Sequence, residues 1–216
     1  MTRFQYRLYR FCRWVVRVTC VWPYRVRVLG AEKVPSSGAF VFAPSHRSML
    51  DIPWLAATTK RRIRFMGKAP LFRVPVLGGL FRILGGFPVE RDGSDRGPLR
   101  DSLRILESGE PLAVYPEGTR QRGSVIAALQ PGAAYLAIKA QVPLVPVAMY
   151  GSEHPWRGAH RFPRFGGPGV VLVGDSIVPP RRASSVVKRE LVDELNARLH
   201  LELQKLWDEA RAQVHR

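Results

Sequence analysis

Residues 39–51 read Ala39-Phe40-Val41-Phe42-Ala43-Pro44-Ser45-His46-Arg47-Ser48-Met49-Leu50-Asp51. The first five are an unbroken apolar run, which predicts a strand covered on both faces rather than one with a face in water. A short polar turn follows, and helical patterning resumes over residues 51–58. Similar apolar runs recur at 63–66, 112–115, 144–149 and 170–173, with helical patterns at 99–107 and 132–140 between several of them. Strand and helix in alternation predict an α/β fold, a single domain whose largely parallel central sheet is flanked by helices. In open sheets of this kind ligands bind beyond the carboxyl ends of the strands, so the residues after Ala43 stand where chemistry is placed.

The two ends of the chain are helical in pattern. At the C-terminus a helix is expected over 184–214, with Ser184 and Ser185 as candidate N-caps and a stripe of Val187, Leu191, Leu195, Leu199 and Leu203 for packing on the core. At the N-terminus, residues 1–30 hold seven Arg and no acidic residue. At about 100° per residue, Arg3, Arg7, Arg10, Arg13 and Arg17 share an arc of about 120°, with Phe4, Leu8, Cys12, Val15 and Val16 largely opposite. This is a basic amphipathic helix that Pro23 ends or kinks. Trp14, Trp22 and several tyrosines beside the basic face suit an anionic membrane interface. A helix packed on its own domain with a solvated arginine face is the alternative. The expected division is a membrane-associating segment over 1–28 and an α/β domain over 29–216.

Composition bounds the partners. Hydrophobic residues make up 46% and charged residues 24% of the 216, which excludes a largely disordered chain. Cys12 and Cys20 are the two cysteines, too few for a disulfide framework or a Cys-based zinc site, so a reducing, cytosolic-side location is expected. No apolar run approaches the roughly 20 residues that cross a bilayer. A net charge of +17, from 34 basic and 17 acidic residues, calls for an anionic partner. No helix-turn-helix, zinc-finger or RNA-recognition pattern occurs, so nucleic acid is set aside in favour of an anionic lipid surface or a phosphorylated substrate.

Four blocks carry chemistry. His46 and Asp51, five residues apart after the first strand, are placed so that the carboxylate can bond one imidazole nitrogen and leave the other as a base. Tyr115-Pro116-Glu117-Gly118-Thr119-Arg120 is a turn after another buried strand, where Arg120 either grips a phosphate or closes a salt-bridged turn. Gly85-Gly86-Phe87-Pro88-Val89-Glu90-Arg91 ends in Arg91. Val142-Pro143-Leu144-Val145-Pro146-Val147 puts prolines in a strand-like run, which implies an edge, a bulge or a pocket wall.

In this order and at these separations the four blocks resemble the glycerophospholipid acyltransferase family, of the 1-acylglycerol-3-phosphate acyltransferase type. Gly67-Lys68-Ala69, the run from Leu71 to Gly78, and Pro131-Gly132-Ala133-Ala134 look like the family too, and the resemblance covers about residues 29–180. Departures are Tyr115 where Phe is commoner, Glu90 where many relatives have Asp, and Gln121-Arg122-Gly123, which adds positive charge.

The resemblance implies transfer of a fatty acyl group from a thioester, acyl-CoA or acyl carrier protein, to a hydroxyl of lysophosphatidic acid or a related glycerol phosphate in phospholipid synthesis. His46 is then the general base, oriented by Asp51, and no G-x-S-x-G turn offers a serine nucleophile instead. Arg91 and Arg120, with Lys68, are expected to hold the acceptor phosphate, and Glu117, Gly118 and Thr119 to complete the substrate site, Glu117 by orienting Arg120 or by binding an acceptor hydroxyl. Backbone N–H groups near His46 or in the Glu117-Gly118 turn are the candidate oxyanion donors. Residues 71–84 are either an acyl-chain groove or core. No cofactor or metal is expected, and His154, His160, His200 and His215 read as surface or structural. The place of action is the cytoplasmic face of the cell membrane, peripherally bound. The alternatives are the same chemistry on glycerol 3-phosphate, another lysophospholipid or a glycolipid, and a non-catalytic membrane-binding protein of the same fold.

Overall fold

In a computed structural model of the chain, residues 2–90, 97–153, 166–182, 184 and 186–214 are described. The strands are β1 (Arg27–Leu29), β2 (Val41–Pro44), β3 (Arg64–Lys68), β4 (Gly86–Val89), β5 (Leu112–Ala113), β6 (Leu144–Tyr150) and β7 (Val170–Val173). They form one sheet in the order β1-β7-β6-β2-β5-β3-β4. Every neighbouring pair is parallel except β6 with β7, so five parallel strands carry a reversed β7–β1 edge. The expected α/β class and largely parallel sheet are present, with β1 and β4 added beyond the runs legible in the sequence.

The helices are α1 (Arg3–Cys20), α2 (Asp51–Ala57), α3 (Leu77–Ile83), α4 (Gly97–Glu107), α5 (Gly132–Ala140) and α6 (Arg189–Val214). Alternation along β2 splits the core in two. Val41 and Ala43 face a cluster built with α4, α5 and α6, while Phe40 and Phe42 face one built with Trp54 and Leu55 of α2. Of the expected C-terminal stripe, Leu195, Leu199 and Leu203 are buried, and Leu206, Trp207 and Ala210 extend it. The helix starts at Arg189, five residues later than expected. Candidate N-cap Ser185 lies outside the described residues, and Ser184 precedes the helix without capping it.

Pro146 lies in the interior strand β6, not at an edge, and the sheet accommodates it with a bulge. Pairing runs Val147↔Val173 on one side and Leu144↔Ile177 on the other, a slip of one residue at the level of Pro146. The Pro146 carbonyl, on the β7 side, accepts from Gly174 N at 2.9 Å, so the strand loses one donor where the ladder is already interrupted.

α1 packs on the domain largely through the face its sequence suggests, with Leu8, Cys12, Val15 and Val16 half-buried, but Tyr9 and Arg13 join that face and Phe4 does not. Tyr9 is buried and Arg13 half-buried, while Phe4, Phe11 and Trp14 are exposed at 73%, 59% and 58%. Trp54 Nε1 donates to Cys20 O at 2.6 Å, which ties the end of α1 to α2. The expected boundary after residue 28 falls inside β1. The segment 71–84 is divided as well: Phe72 is buried, whereas Leu71, Val74, Val76 and Leu77 are exposed, Val76 at 90% and with φ of 63°.

Two glycines separate conformational from steric cost. At Gly38 (φ +71°) a Cβ would find nothing within 4 Å, while at Gly85 (φ +106°) it would run into the Ile63 carbonyl oxygen. Gly38→Ala is expected to cost about 1–2 kcal/mol, the left-handed penalty alone. Gly85→Ala is expected to cost more, because β3 or β4 must shift; equal losses in chemical denaturation would contradict this account.

Candidate active site

β2 and β5 are parallel neighbours, Phe42 opposite Ala113, so the segments after Pro44 and after Ala113 leave the sheet side by side. α2 begins at Asp51 itself, which puts its side chain at the helix start, where a carboxylate meets unpaired N–H groups. Oδ2 of Asp51 accepts from Arg47 N at 2.6 Å and Ser48 N at 2.8 Å, and lies 2.8 Å from His46 Nδ1. Oδ1 accepts from the Ser152 hydroxyl at 2.5 Å. Asp51 and Ser152 are both fully buried. Four donors therefore replace the water this carboxylate has lost, and the one on His46 requires its proton to sit on Nδ1. Nε2 has no partner among the described residues, and 18% of the imidazole surface is open to solvent.

A second buried carboxylate holds the same loop from the β5 side. Glu117 Oε1 accepts from His46 N at 2.8 Å, while Oε2 accepts from Arg47 Nη1 at 3.2 Å and from Ala127 N at 3.2 Å. Arg120 is absent from these partners, so Glu117 orients Arg47 and the His46 backbone instead of Arg120. Its side chain has no exposed surface, which removes it from contact with a substrate hydroxyl. Gln121 N closes the arrangement by donating to His46 O at 2.9 Å. Arg47 is buried, bonds Val125 O at 3.2 Å through Nη2, and lies over the Trp207 ring at 4.3 Å.

Gly118, Thr119 and Arg120 are exposed on the turn beside His46. Gly118 has φ of +73°, as a tight turn there requires. Thr119 Oγ1 accepts from Gln121 Nε2 at 3.0 Å. Lys68, at the end of β3, is exposed two strands away from β2, and no hydrogen bond among the described residues joins it to Arg120. Arg91 lies outside the described residues, as do His154, His160 and His215. His200 bonds Ile126 O and is structural. No group of three His, Cys, Asp or Glu suited to a metal occurs among the described residues.

Three contributors went unnoticed in the sequence: Arg47, Ser152 and the hydroxyl of Tyr115. The Tyr115 ring lies against His46, with centroids 4.1 Å apart and planes tilted by 32°. Although the residue is half-buried, its hydroxyl oxygen is enclosed and has no hydrogen-bond partner among the described residues. Burial, and secondarily the Asp51 charge, pushes the phenol well above its ordinary range.

The chain matches the Acyltransferase family model over residues 25–150. It is 29% identical over 145 residues to a 1-acyl-sn-glycerol-3-phosphate acyltransferase of Bacillus subtilis, covering 67% of this chain and 72% of that protein. A chloroplastic 1-acyl-sn-glycerol-3-phosphate acyltransferase of Arabidopsis thaliana is 30% identical over 132 residues, 60% of this chain; the match spans 37% of the plant protein, well under half its length. The crystal structure of the 1-acyl-sn-glycerophosphate (LPA) acyltransferase of Thermotoga maritima superposes with a TM-score of 0.78 at 22% identity, over 96% of this chain and 81% of the other. At that identity the structural match establishes a shared fold.

Tyr115→Phe removes an enclosed, unpaired hydroxyl and keeps the ring against His46. An unsatisfied buried polar group costs about 1–3 kcal/mol, so the variant is expected to melt at or above the parental temperature at pH 7. A phenol whose folded pKa is raised loses stability as pH rises past its unfolded value of about 10. The parent should therefore fall further behind Tyr115→Phe above pH 10. A variant that melts lower at both pH values would show that the hydroxyl has a partner.

Proposed function

The chain belongs to the Acyltransferase family, and from that premise we propose that it moves a fatty acyl group from a thioester to the free hydroxyl of lysophosphatidic acid or a related glycerol phosphate. The observation that carries the reading is the His46 Nδ1–Asp51 contact beside a partly exposed ring whose Nε2 has no partner among the described residues. Nε2 takes the acceptor proton as the hydroxyl oxygen attacks the carbonyl carbon, and Asp51 stabilises the imidazolium that forms. Collapse of the tetrahedral intermediate breaks the C–S bond, and the thiolate leaves with that proton. A thiolate is a good leaving group, so one base serves both steps and no covalent enzyme intermediate is needed.

Existing hydrogen bonds narrow the choice of oxyanion donors. The N–H groups of His46, Arg47, Ser48 and Leu50 are already bonded to Glu117, Asp51 and the Ser48 hydroxyl. Gly118 N bonds Tyr115 O and Gln121 N bonds His46 O. Met49, Glu117, Thr119 and Arg120 keep N–H groups with no partner among the described residues, and those of Thr119 and Arg120, exposed on the turn beside His46, are the donors in this reading. Arg120, with Arg91, holds the acceptor phosphate in this reading, and Lys68, two strands away from β2, is the more remote candidate. The exposed apolar side chains of Leu71, Val74, Val76 and Leu77 receive the acyl chain or the bilayer that supplies it.

Membrane contact is part of the same proposal. No helix among the described residues is long and apolar enough to cross a bilayer. α1 instead presents Phe4, Phe11 and Trp14, flanked by Arg3, Arg7, Arg10 and Arg17, on its outward side. This arrangement suits a helix lying peripherally on an anionic, cytoplasmic-facing leaflet.

A thiol-release assay with acyl-CoA and a panel of acceptors tests the chemistry. Lysophosphatidic acid is expected to be used, and His46→Ala to lose about 10²–10⁴-fold in rate with its thermal midpoint little changed. Asp51→Asn should also lose activity, because an amide misplaces the ring proton. A His46→Ala variant working near the parental rate would overturn the assignment. In liposome flotation, replacing Phe4, Phe11 and Trp14 together by Ser should release much of the protein from anionic vesicles. These side chains are exposed, so the fold is spared; undiminished flotation would remove α1 from the membrane contact.

A further inference from the structure

A proton taken up by His46 becomes positive charge on a largely enclosed ring, of which 18% is open to solvent. Asp51 meets that charge at Nδ1, but its carboxylate is shared: Oδ2 also accepts from Arg47 N and Ser48 N, and Oδ1 from the Ser152 hydroxyl. Each donor that stabilises the carboxylate leaves it less to gain from a proton on the imidazole. The other charged groups nearby add little. Glu117 is matched by the Arg47 guanidinium and turns Oε1 to the His46 backbone N–H rather than to the ring. Arg120, Arg122, Glu153 and Arg211 line a cavity together with Arg47 and Ser48, and His46 is not part of its wall. What lies against the imidazole itself is aromatic.

Tyr115 leaves the sheet beside the His46 turn and is fixed there by the backbone. Val114 N donates to Phe42 O at 2.9 Å, which carries the β2–β5 pairing past Ala113, and Gly118 N donates to Tyr115 O at 3.1 Å. Held in this way, the Tyr115 ring stacks on the imidazole, with centroids 4.1 Å apart and planes 32° from parallel. A cation over an aromatic face within about 6 Å of the centroid is attracted by the ring quadrupole. A neutral imidazole in the same place gains little more than dispersion. The difference appears only as the proton arrives, and an interaction stronger in the transition state than before it is one that lowers a barrier. Tyr115 is no base of its own: its hydroxyl is enclosed, and burial foremost pushes the phenol well above its ordinary range.

We propose that Tyr115 is a positioning residue for acyl transfer, its ring face stabilising the His46 imidazolium that forms when the acceptor hydroxyl is deprotonated. The inference rests on His46 being the base and adds the group that favours its protonated form. Asp51 works in the plane of the imidazole through Nδ1 and Tyr115 works on its face, which leaves the Nε2 edge to the acceptor. When the proton departs with the thiolate the ring is neutral again and the extra attraction is gone, so product release is not slowed by it. The enclosed hydroxyl takes no part: the quadrupole belongs to the ring, and phenylalanine carries one as well.

The test changes the ring face on the full chain and reads pH dependence. Tyr115→Leu removes the aromatic face, Tyr115→Phe keeps it, and a trifluorinated phenylalanine in place of Tyr115 keeps the shape while withdrawing electron density from the face, so the comparison holds even if Tyr115→Leu loosens the packing. Losing the face makes the imidazolium harder to form, which moves the acid limb of kcat/KM to lower pH. Tyr115→Leu and the trifluorinated variant are expected to shift that limb by about 0.5–1 pH unit and to lower the plateau rate about 3–10-fold, with the KM for lysophosphatidic acid unchanged. Tyr115→Phe, the conservative variant, should hold the parental limb. The same displacement should appear when the His46 ring is titrated by NMR without substrate, its signal identified by its loss in His46→Ala. Coincident limbs in the parent, Tyr115→Leu and the trifluorinated variant would reduce Tyr115 to packing and overturn the proposal, while an inactive His46→Ala would leave acyl transfer standing. Tyr115→Phe moving together with Tyr115→Leu would assign the effect to the hydroxyl and overturn it too, as would a raised acceptor KM with the limb in place. An NMR displacement in a chain that transfers no acyl group would overturn the acyl-transfer reading and leave the stacking effect standing.

Discussion

The Asp51 carboxylate has no surface in contact with water, and a charge so placed persists only with its lone pairs bonded. Its four donors come from two distant places, the 46–48 turn after β2 and Ser152 after β6. Satisfying Asp51 therefore locks the turn into one conformation and fixes its distance from the β6 end. Glu117 does the same from the β5 side, through His46 N and the Arg47 guanidinium. Leaving one member of such a buried set unpaired costs about 3–5 kcal/mol, a large share of a domain's total stability. His46 is held from both sides by groups whose own burial forbids them to let go. Its backbone is anchored to Glu117 and its ring to Asp51, which is the rigidity the proposed general base needs.

The sheet makes this frame possible. β6, β2 and β5 are consecutive in space and parallel, so their carboxyl ends open onto one edge although they are separated along the chain by up to a hundred residues. The bulge opposite Pro146 lets β6 continue to Tyr150 and deliver Gly151-Ser152 beneath Asp51. α6 adds the remaining support: the stripe that packs it on the sheet also brings Trp207 against Arg47. Core packing and site geometry are thus coupled through one buried arginine.

What the sequence disclosed follows from how local each signal is. β2, β3, β5, β6 and β7 overlap apolar runs long enough to stand out, and α2, α4 and α5 keep their helical period. β1 has three residues, and β4 reads Gly-Phe-Pro-Val, so neither offers a run to recognise. α3 was hidden by Gly78 and Gly79, poor helix formers; Gly78 is required because a Cβ there would meet the Phe72 carbonyl. In the site, His46 and Asp51 were legible because they are five residues apart on one turn. Ser152 is 101 residues from Asp51 and Arg47 is 70 from Glu117, separations at which no spacing rule operates. The assignment of Glu117 to Arg120 failed for a related reason. Proximity on the turn suggested the pair, whereas burial of the carboxylate selected the arginine that is buried with it.

The excess of positive charge also acquires a physical division. Many arginines are spent inside the fold, where the guanidinium's several donors bridge to backbone carbonyls: Arg13 to Thr59 O, Arg61 to Pro35 O and Gly109 O, Arg62 to Ile83 O and Arg82 O, and Arg82 to Phe72 O. Lysine, a point charge on a flexible stem, satisfies such divergent acceptors poorly, which fits 28 Arg against six Lys. These groups contribute to the net charge of +17 without pointing to any ligand. Subtracting them leaves two concentrations of arginine side chains unpaired among the described residues, one on the outer face of α1 at Arg3, Arg7 and Arg17, the other around the cavity at Arg120, Arg122 and Arg211. The first is mixed with exposed aromatic side chains and the second encloses a pocket beside His46. A uniform basic surface would suit any polyanion; charge confined to an aromatic helix face and to a pocket suits a lipid surface and a phosphorylated small molecule.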